Sequence, residues 1–141
     1  MTTPYRVAQT LATVLLADKV DKAGRPAIHH ARAVRERLEE ASDADPVAAV
    51  AWLHDLIEDT PLSLADLTVF GFSPGVVAAV DSLTRRKGEV YADYIDRVSL
   101  DPVATEVKIA DLLDHLSDQS AIPASLVQRY TIALGRLTPT K

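Results

Sequence analysis

The chain has no cysteine. That absence excludes disulfides, zinc–thiolate sites and thiol nucleophiles together, so a metal would depend on His, Asp and Glu. Apolar runs are short as well: Leu11 to Ala17 and Val47 to Leu53 are the longest, far from the roughly 20 residues of a membrane-spanning helix. Met1 to Arg6 lacks the basic segment, apolar segment and cleavage site of a signal peptide, which makes a cytoplasmic address the expectation. Positive charge is scarce: 15 Lys and Arg against 20 Asp and Glu leave a formal net charge of −5. No basic stripe is present, so duplex nucleic acid is not an expected partner. The dense basic cluster Arg85-Arg86-Lys87 reads as a turn between two helices. Alternating runs of β-branched and aromatic residues are missing too, and with them the signal for strands. Neither a glycine-rich phosphate loop nor a G-x-S-x-G elbow occurs.

What is present is helical. The 141 residues, 48% hydrophobic and 25% charged, fit one soluble domain with a real core. Apolar residues at helical spacing predict a first helix over Tyr5 to Val20, followed by a loop containing Gly24 and Pro26. A second helix is expected over Ile28 to Ala41. Asp45-Pro46 reads as an N-cap and first helical position, opening a third helix to about Asp59. Shorter helices follow over Ser63 to Phe70, Ser73 to Leu83 and Val90 to Leu100, the last with Tyr91 and Tyr94 one turn apart. Asp101-Pro102 opens a helix to about Gln119, and Pro123 another to about Leu137. The expected architecture is all-α, a compact single-domain helical bundle over residues 1–141.

Chemistry-bearing residues gather in three places. The third helix carries His54, Asp55, Glu58 and Asp59 beside the apolar stripe Val50, Leu53 and Ile57. Buried charges cost several kcal/mol unless paired or bound to metal. His29-His30 opens the second helix, and Asp111 sits among Ile109, Ala110 and Leu112, with Asp114 and His115 just beyond. All 4 histidines fall within these clusters, which makes a shared site more economical than separate core histidines. Two imidazoles with two carboxylates suit manganese, iron or zinc better than calcium. Such an ion can acidify a bound water and polarise a phosphoryl oxygen. Glu58 and Asp59 are then candidates for general acid–base work.

These residues also carry a family resemblance. His54-Asp55 followed by Glu58-Asp59-Thr60 resembles the HD-x-x-ED-T signature of alarmone hydrolases, the hydrolase domains of RelA/SpoT proteins and their small stand-alone relatives. Lys22 to His30 is similar to that family's K-x-G-x-P-Y-I-x-H segment, and Val107 to Asp111 to its V-K-x-A-D. The motifs span about residues 22–115. The resemblance implies an all-helical HD-domain fold and one divalent cation, Mn2+ by family habit with Fe2+ or Zn2+ as alternatives, held by His30, His54, Asp55 and Asp111. It implies that Glu58 and Asp59 position or activate the attacking water. The implied reaction removes the 3′-pyrophosphate of guanosine tetra- or pentaphosphate (ppGpp or pppGpp). Lys22 matches a residue of the loop lying against the base.

Some positions depart from the pattern. Asp21 stands where an arginine is common, Ala27 replaces a tyrosine, and Leu112-Leu113-Asp114-His115 replaces R-x-H-N. His115 thus takes the place of a nucleotide-contacting asparagine. Lys22, Arg25, Arg86, Lys108 and His115 are the expected substrate contacts. Two other readings stay open: an HD phosphohydrolase acting on another nucleotide or phosphate ester, and a helical module that binds a nucleotide or partner without turnover. No membrane partner is expected, and a homo-oligomer is compatible with the sequence.

Overall fold

The computed structural model describes residues 2–139; the first residue and the last two of the expected 1–141 span lie outside them. Among the described residues the regular structure is helical: α1 (Pro4–Leu15), α2 (Ala27–Arg37), α3 (Pro46–Leu53), α4 (Leu56–Asp59), α5 (Leu64–Val69), α6 (Pro74–Leu83), α7 (Tyr91–Val98), α8 (Pro102–Leu116) and α9 (Ala124–Leu137), with a 3-10 turn at Gln119–Ala121. The all-α expectation holds. No helix among these residues is long and apolar enough to cross a membrane.

The helix starts follow from local chemistry. Asp45 and Asp101 each accept a backbone N–H from the first turn they open, and both are followed by proline. Ser63 and Asp66 form a reciprocal capping box, and Ser73 caps α6 ahead of Pro74. α3 is the central element. All its residues from Val47 to Leu53 are buried, and it packs against α1, α2, α6 and α8. Leu53, Leu56, Leu67 and Ile95 are among the largest fully buried side chains; burying each is worth roughly 1.5–3 kcal/mol.

Three of the departures from the predicted helices have a visible reason, while the helices predicted to Leu100 and to about Gln119 end at Val98 and Leu116. α1 stops at Leu15 rather than Val20 because the chain turns into a tight loop. Ala27 N–H bonds to Lys19 O at 2.9 Å and Asp21 N–H to Arg25 O at 2.8 Å. Asp21 Oδ1 accepts from Ala23 N and Arg25 N at 2.9 and 3.0 Å, and Gly24 turns the corner with φ of 79°. α2 stops at Arg37 rather than Ala41, where the Arg35 guanidinium donates to Leu38 O and Ala41 O. The predicted third helix divides at His54-Asp55. His54 Nδ1 donates to Ala51 O at 2.7 Å, taking the carbonyl that the Asp55 N–H would reach in an unbroken helix. Helix geometry resumes as α4.

Candidate metal centre

α2, α3 and α8 pack pairwise and bring the three clusters to one point. His30 comes from the first turns of α2, His54 and Asp55 from the α3–α4 break, and Asp111 from the middle of α8. His30, His54 and Asp111 are 7%, 2% and 3% exposed, whereas the residues around them in the core are apolar. His30 Nε2 lies 2.7 Å from Asp111 Oδ1 and 4.0 Å from Asp55 Oδ2. His54 Nε2 lies 3.1 Å from Asp55 Oδ2 and 3.6 Å from Asp111 Oδ1.

The far side of each ring is fixed. His30 Nδ1 bonds to Asp114 Oδ2 at 2.7 Å, and Asp114 Oδ1 is held in turn by Arg37 Nε at 3.3 Å. His54 Nδ1 uses its proton on Ala51 O. With both Nδ1 atoms committed as donors, both Nε2 atoms face the centre, as in carboxylate–histidine–metal arrangements. His54 Nε2 is buried and has no hydrogen-bond partner in the protein. An orphaned buried nitrogen facing two carboxylates is costly in a folded chain, and a divalent cation resolves that cost. The donor set therefore fits one, with His30, His54, Asp55 and Asp111 as the residues that would hold it. Lys108 Nζ donates to Asp111 Oδ2 at 2.8 Å and leaves Oδ1 facing the histidines.

Charge balance in the protein alone points the same way. Burial opposes a proton on His30, yet the bonds to Asp111 and Asp114 raise its pKa to about 9. Burial likewise opposes protonation of His54, and Asp55 and Asp111 override it, pushing that pKa well above the usual histidine value. Protons here stand where a cation would, so a bound cation would displace them.

The centre forms the floor of a cleft of about 470 Å³, within the range of nucleotide-sized pockets. Glu58 and Asp59 stand on its wall. Glu58 Oε1 accepts the Arg85 N–H at 2.5 Å. Partial desolvation, then the negative charge of Asp55, raise the pKa of Asp59; for Glu58 the same two causes outweigh the opposing Arg85 bond.

Of the expected substrate contacts, Lys22, Lys108 and His115 line the cleft. Arg25 and Arg86 do not. Arg25 lies in solvent against Asp21 at 3.9 Å. Arg86 turns back to α6, donating to Asp81 Oδ1 and Thr84 O at 2.7 Å each. Its neighbour Arg85 enters the cleft instead. Residues the motifs did not single out complete the walls: Lys19, Tyr91, Tyr94, Arg129 and Tyr130. Arg129 and Arg85 flank the Tyr91 ring, their Cζ atoms 4.7 and 5.3 Å from its centroid. Tyr91 Oη and Trp52 Nε1, both on the cleft lining, are also buried without protein partners. The Tyr91–Tyr94 spacing was the one sequence signal for this wall; Arg129-Tyr130 had none beyond helical periodicity.

No protein-family profile matches the chain, and no curated protein sequence does. A solved structure does: a metazoan ortholog of SpoT, described as hydrolyzing ppGpp and playing a role in starvation responses. It overlays with a TM-score of 0.78 at 21% identity, over 97% of this chain and 84% of that one. The chain shares the all-helical fold of that SpoT ortholog.

Proposed function

We propose that the chain is a divalent-metal-dependent phosphohydrolase that removes the 3′-pyrophosphate of guanosine tetra- or pentaphosphate. The observation that carries this reading is the partnerless His54 Nε2, buried beside Asp55, Asp111 and His30 at the floor of a nucleotide-sized cleft. When bound, such a cation would polarise a phosphoryl oxygen or lower the pKa of water. Manganese is the family expectation for it, with iron or zinc as alternatives.

The rest falls to the chain. Lys19, Lys22, Arg85 and Arg129 ring the cleft mouth and offset the net charge of −5 that would repel a polyphosphate. Hydrolysis adds water across the ester bond. Phosphorus gains the hydroxyl, and the ribose 3′ oxygen leaves with a proton. Glu58 and Asp59, with pKa values raised toward the working range, are the groups to take and return that proton. The Arg85 N–H holds Glu58 in place.

The test incubates manganese-loaded protein with a nucleotide panel that includes guanosine tetraphosphate and identifies the products. Pyrophosphate and GDP are expected. A second reading, hydrolysis of another nucleotide or phosphate ester, draws on Asp114 and His115 in place of the family's His-Asn pair. Activity elsewhere on the panel, with none on guanosine tetraphosphate, would select it.

A further inference from the structure

We propose that His115 is a fifth protein ligand of the metal centre, giving it three imidazoles and two carboxylates and favouring zinc- or iron-class ions over manganese. The proposal rests on the reading of the centre as a metal site.

His115 lies one turn beyond Asp111 on α8, the spacing that puts two side chains on one side of a helix. Its Nε2 is 3.2 Å from Asp111 Oδ1. That same oxygen is 2.7 Å from His30 Nε2 and 3.6 Å from His54 Nε2. Three imidazole nitrogens thus surround one carboxylate oxygen. Such an oxygen has two lone pairs, so it serves two N–H donors and not a third. A cation shared by the nitrogens and the oxygen satisfies all of them. The potential ligand atoms of His30, Asp111 and His115 lie within 4.8 Å of one another, as do those of His30, His54 and Asp55. The two sets share His30, and Asp111 Oδ1 also lies 3.6 Å from His54 Nε2, so the sets adjoin at these residues.

The ring is also held for the purpose. One face stacks on His30, with centroids 4.3 Å apart and planes at 28°. The ring also stacks on Tyr130 at 5.1 Å and 27°, and Tyr130 Oη accepts a hydrogen bond from Lys22 Nζ at 3.3 Å. The plainer role, an outside hydrogen bond that orients Asp111, is already filled by Lys108 on Oδ2 at 2.8 Å. His115 approaches the other oxygen, on the side where the remaining ligands converge. A third imidazole shifts the preference toward ions that favour nitrogen, whereas manganese favours carboxylate and water. Five protein ligands leave one place of six for water or a substrate oxygen.

The test loads the full chain with cobalt(II), measures the ion-to-chain ratio, and counts imidazole ring systems by their hyperfine-shifted proton resonances. One ion and three ring systems are expected for the unaltered protein, and two for His115→Ala. Zinc affinity of the variant, measured against a competing chelator, is expected to fall about 100-fold, at or beyond the upper end of what loss of an outer partner costs. Free imidazole is expected to restore the cobalt spectrum of the variant, which a purely structural role for His115 would not allow. The count in the unaltered protein stands even if the variant fails to fold. One ion with two ring systems in both proteins overturns the fifth ligand and leaves the metal centre standing. Two ions per chain overturn it in favour of a dinuclear site. No bound cobalt at all sinks the metal centre and the fifth ligand together.

Discussion

At the floor of the cleft His30, His54 and Asp111 are buried and braced, by Asp114, the Ala51 carbonyl and Lys108 in turn, while Asp55 beside them is part-exposed. At the rim, Lys19, Lys22 and Arg129 stand exposed, and Lys22 makes one long hydrogen bond to Tyr130. The difference is one of dielectric. A buried polar group that loses its partner costs several kcal/mol, so the floor has one workable arrangement and little tolerance. Exposed charges are screened by solvent and salt, and each is worth about 1 kcal/mol or less. On the proposed reading the floor would fix atoms, whereas the rim would attract and release substrate. Substitutions at the two levels are expected to differ in kind as well as in size.

The sharpest break is His54→Ala. It removes the buried nitrogen that faces both carboxylates, and is expected to cause the largest loss of metal affinity and turnover of any single substitution. Added metal is expected to raise the melting temperature of the unaltered protein by binding the folded state, and that rise is expected to vanish in the variant. Retention of about one ion per chain by His54→Ala would mean that the floor is not the metal centre. One step up the wall, Glu58→Gln is expected to keep the metal and lower the turnover number about 100-fold. Metal loss in step with activity would instead make Glu58 part of the floor.

The two levels also differ in how far they can be read from the sequence. The floor is local: His54-Asp55 with Glu58-Asp59, and Asp111 among apolar neighbours, are spacings within single helices. Even there, the break between α3 and α4 was not legible, because it depends on whether His54 Nδ1 or the Asp55 N–H takes the Ala51 carbonyl. The rim is non-local. Arg129 and Tyr130 lie in α9, well past the last motif, and reach the cleft because α9 packs on α8. The choice between adjacent Arg85 and Arg86 was undetermined for the same reason. Asp81 captures one guanidinium, and the Glu89 carbonyl orients the other.

Rim substitutions are expected to act on binding. Lys22→Ala and Arg129→Ala should raise KM several-fold with little change in turnover number, the sign of lost ground-state attraction. The difference should shrink as salt is added. Arg86→Ala is the control, since its guanidinium faces α6, and KM is expected to stay unchanged. An equal KM effect in Arg86→Ala would show that the rim works through overall charge and not through the cleft lining. A fall in turnover number without a KM change for Arg129→Ala would move that residue from attraction to chemistry.

The smallest effect concerns what holds the rim in shape. The Glu89 carboxylate accepts from Arg97 Nη2 at 2.9 Å and Nε at 3.1 Å, and from the Arg86 N–H at 3.0 Å. Its backbone carbonyl accepts from the Arg85 guanidinium at 2.8 and 3.0 Å, and the Arg85 N–H in turn holds Glu58. The Arg97 bonds, then the Arg86 N–H, lower the Glu89 pKa from 4.5 to about 2. A carboxylate whose pKa is depressed on folding adds stability at pH values above its unfolded pKa, and that stability drains away as pH falls toward the folded value. Glu89→Gln keeps the shape and removes the charge. The unaltered protein is therefore expected to melt slightly higher than Glu89→Gln near pH 6, with the gap closing as pH falls below about 4.5 toward 2. Thermal melts of both proteins across that window provide the measurement. The gap should narrow in high salt, because the pair lies near the surface. A gap that stays constant from pH 6 to 3 would mean that the carboxylate charge contributes nothing to holding the turn, leaving the neutral Glu89 carbonyl as what sets Arg85.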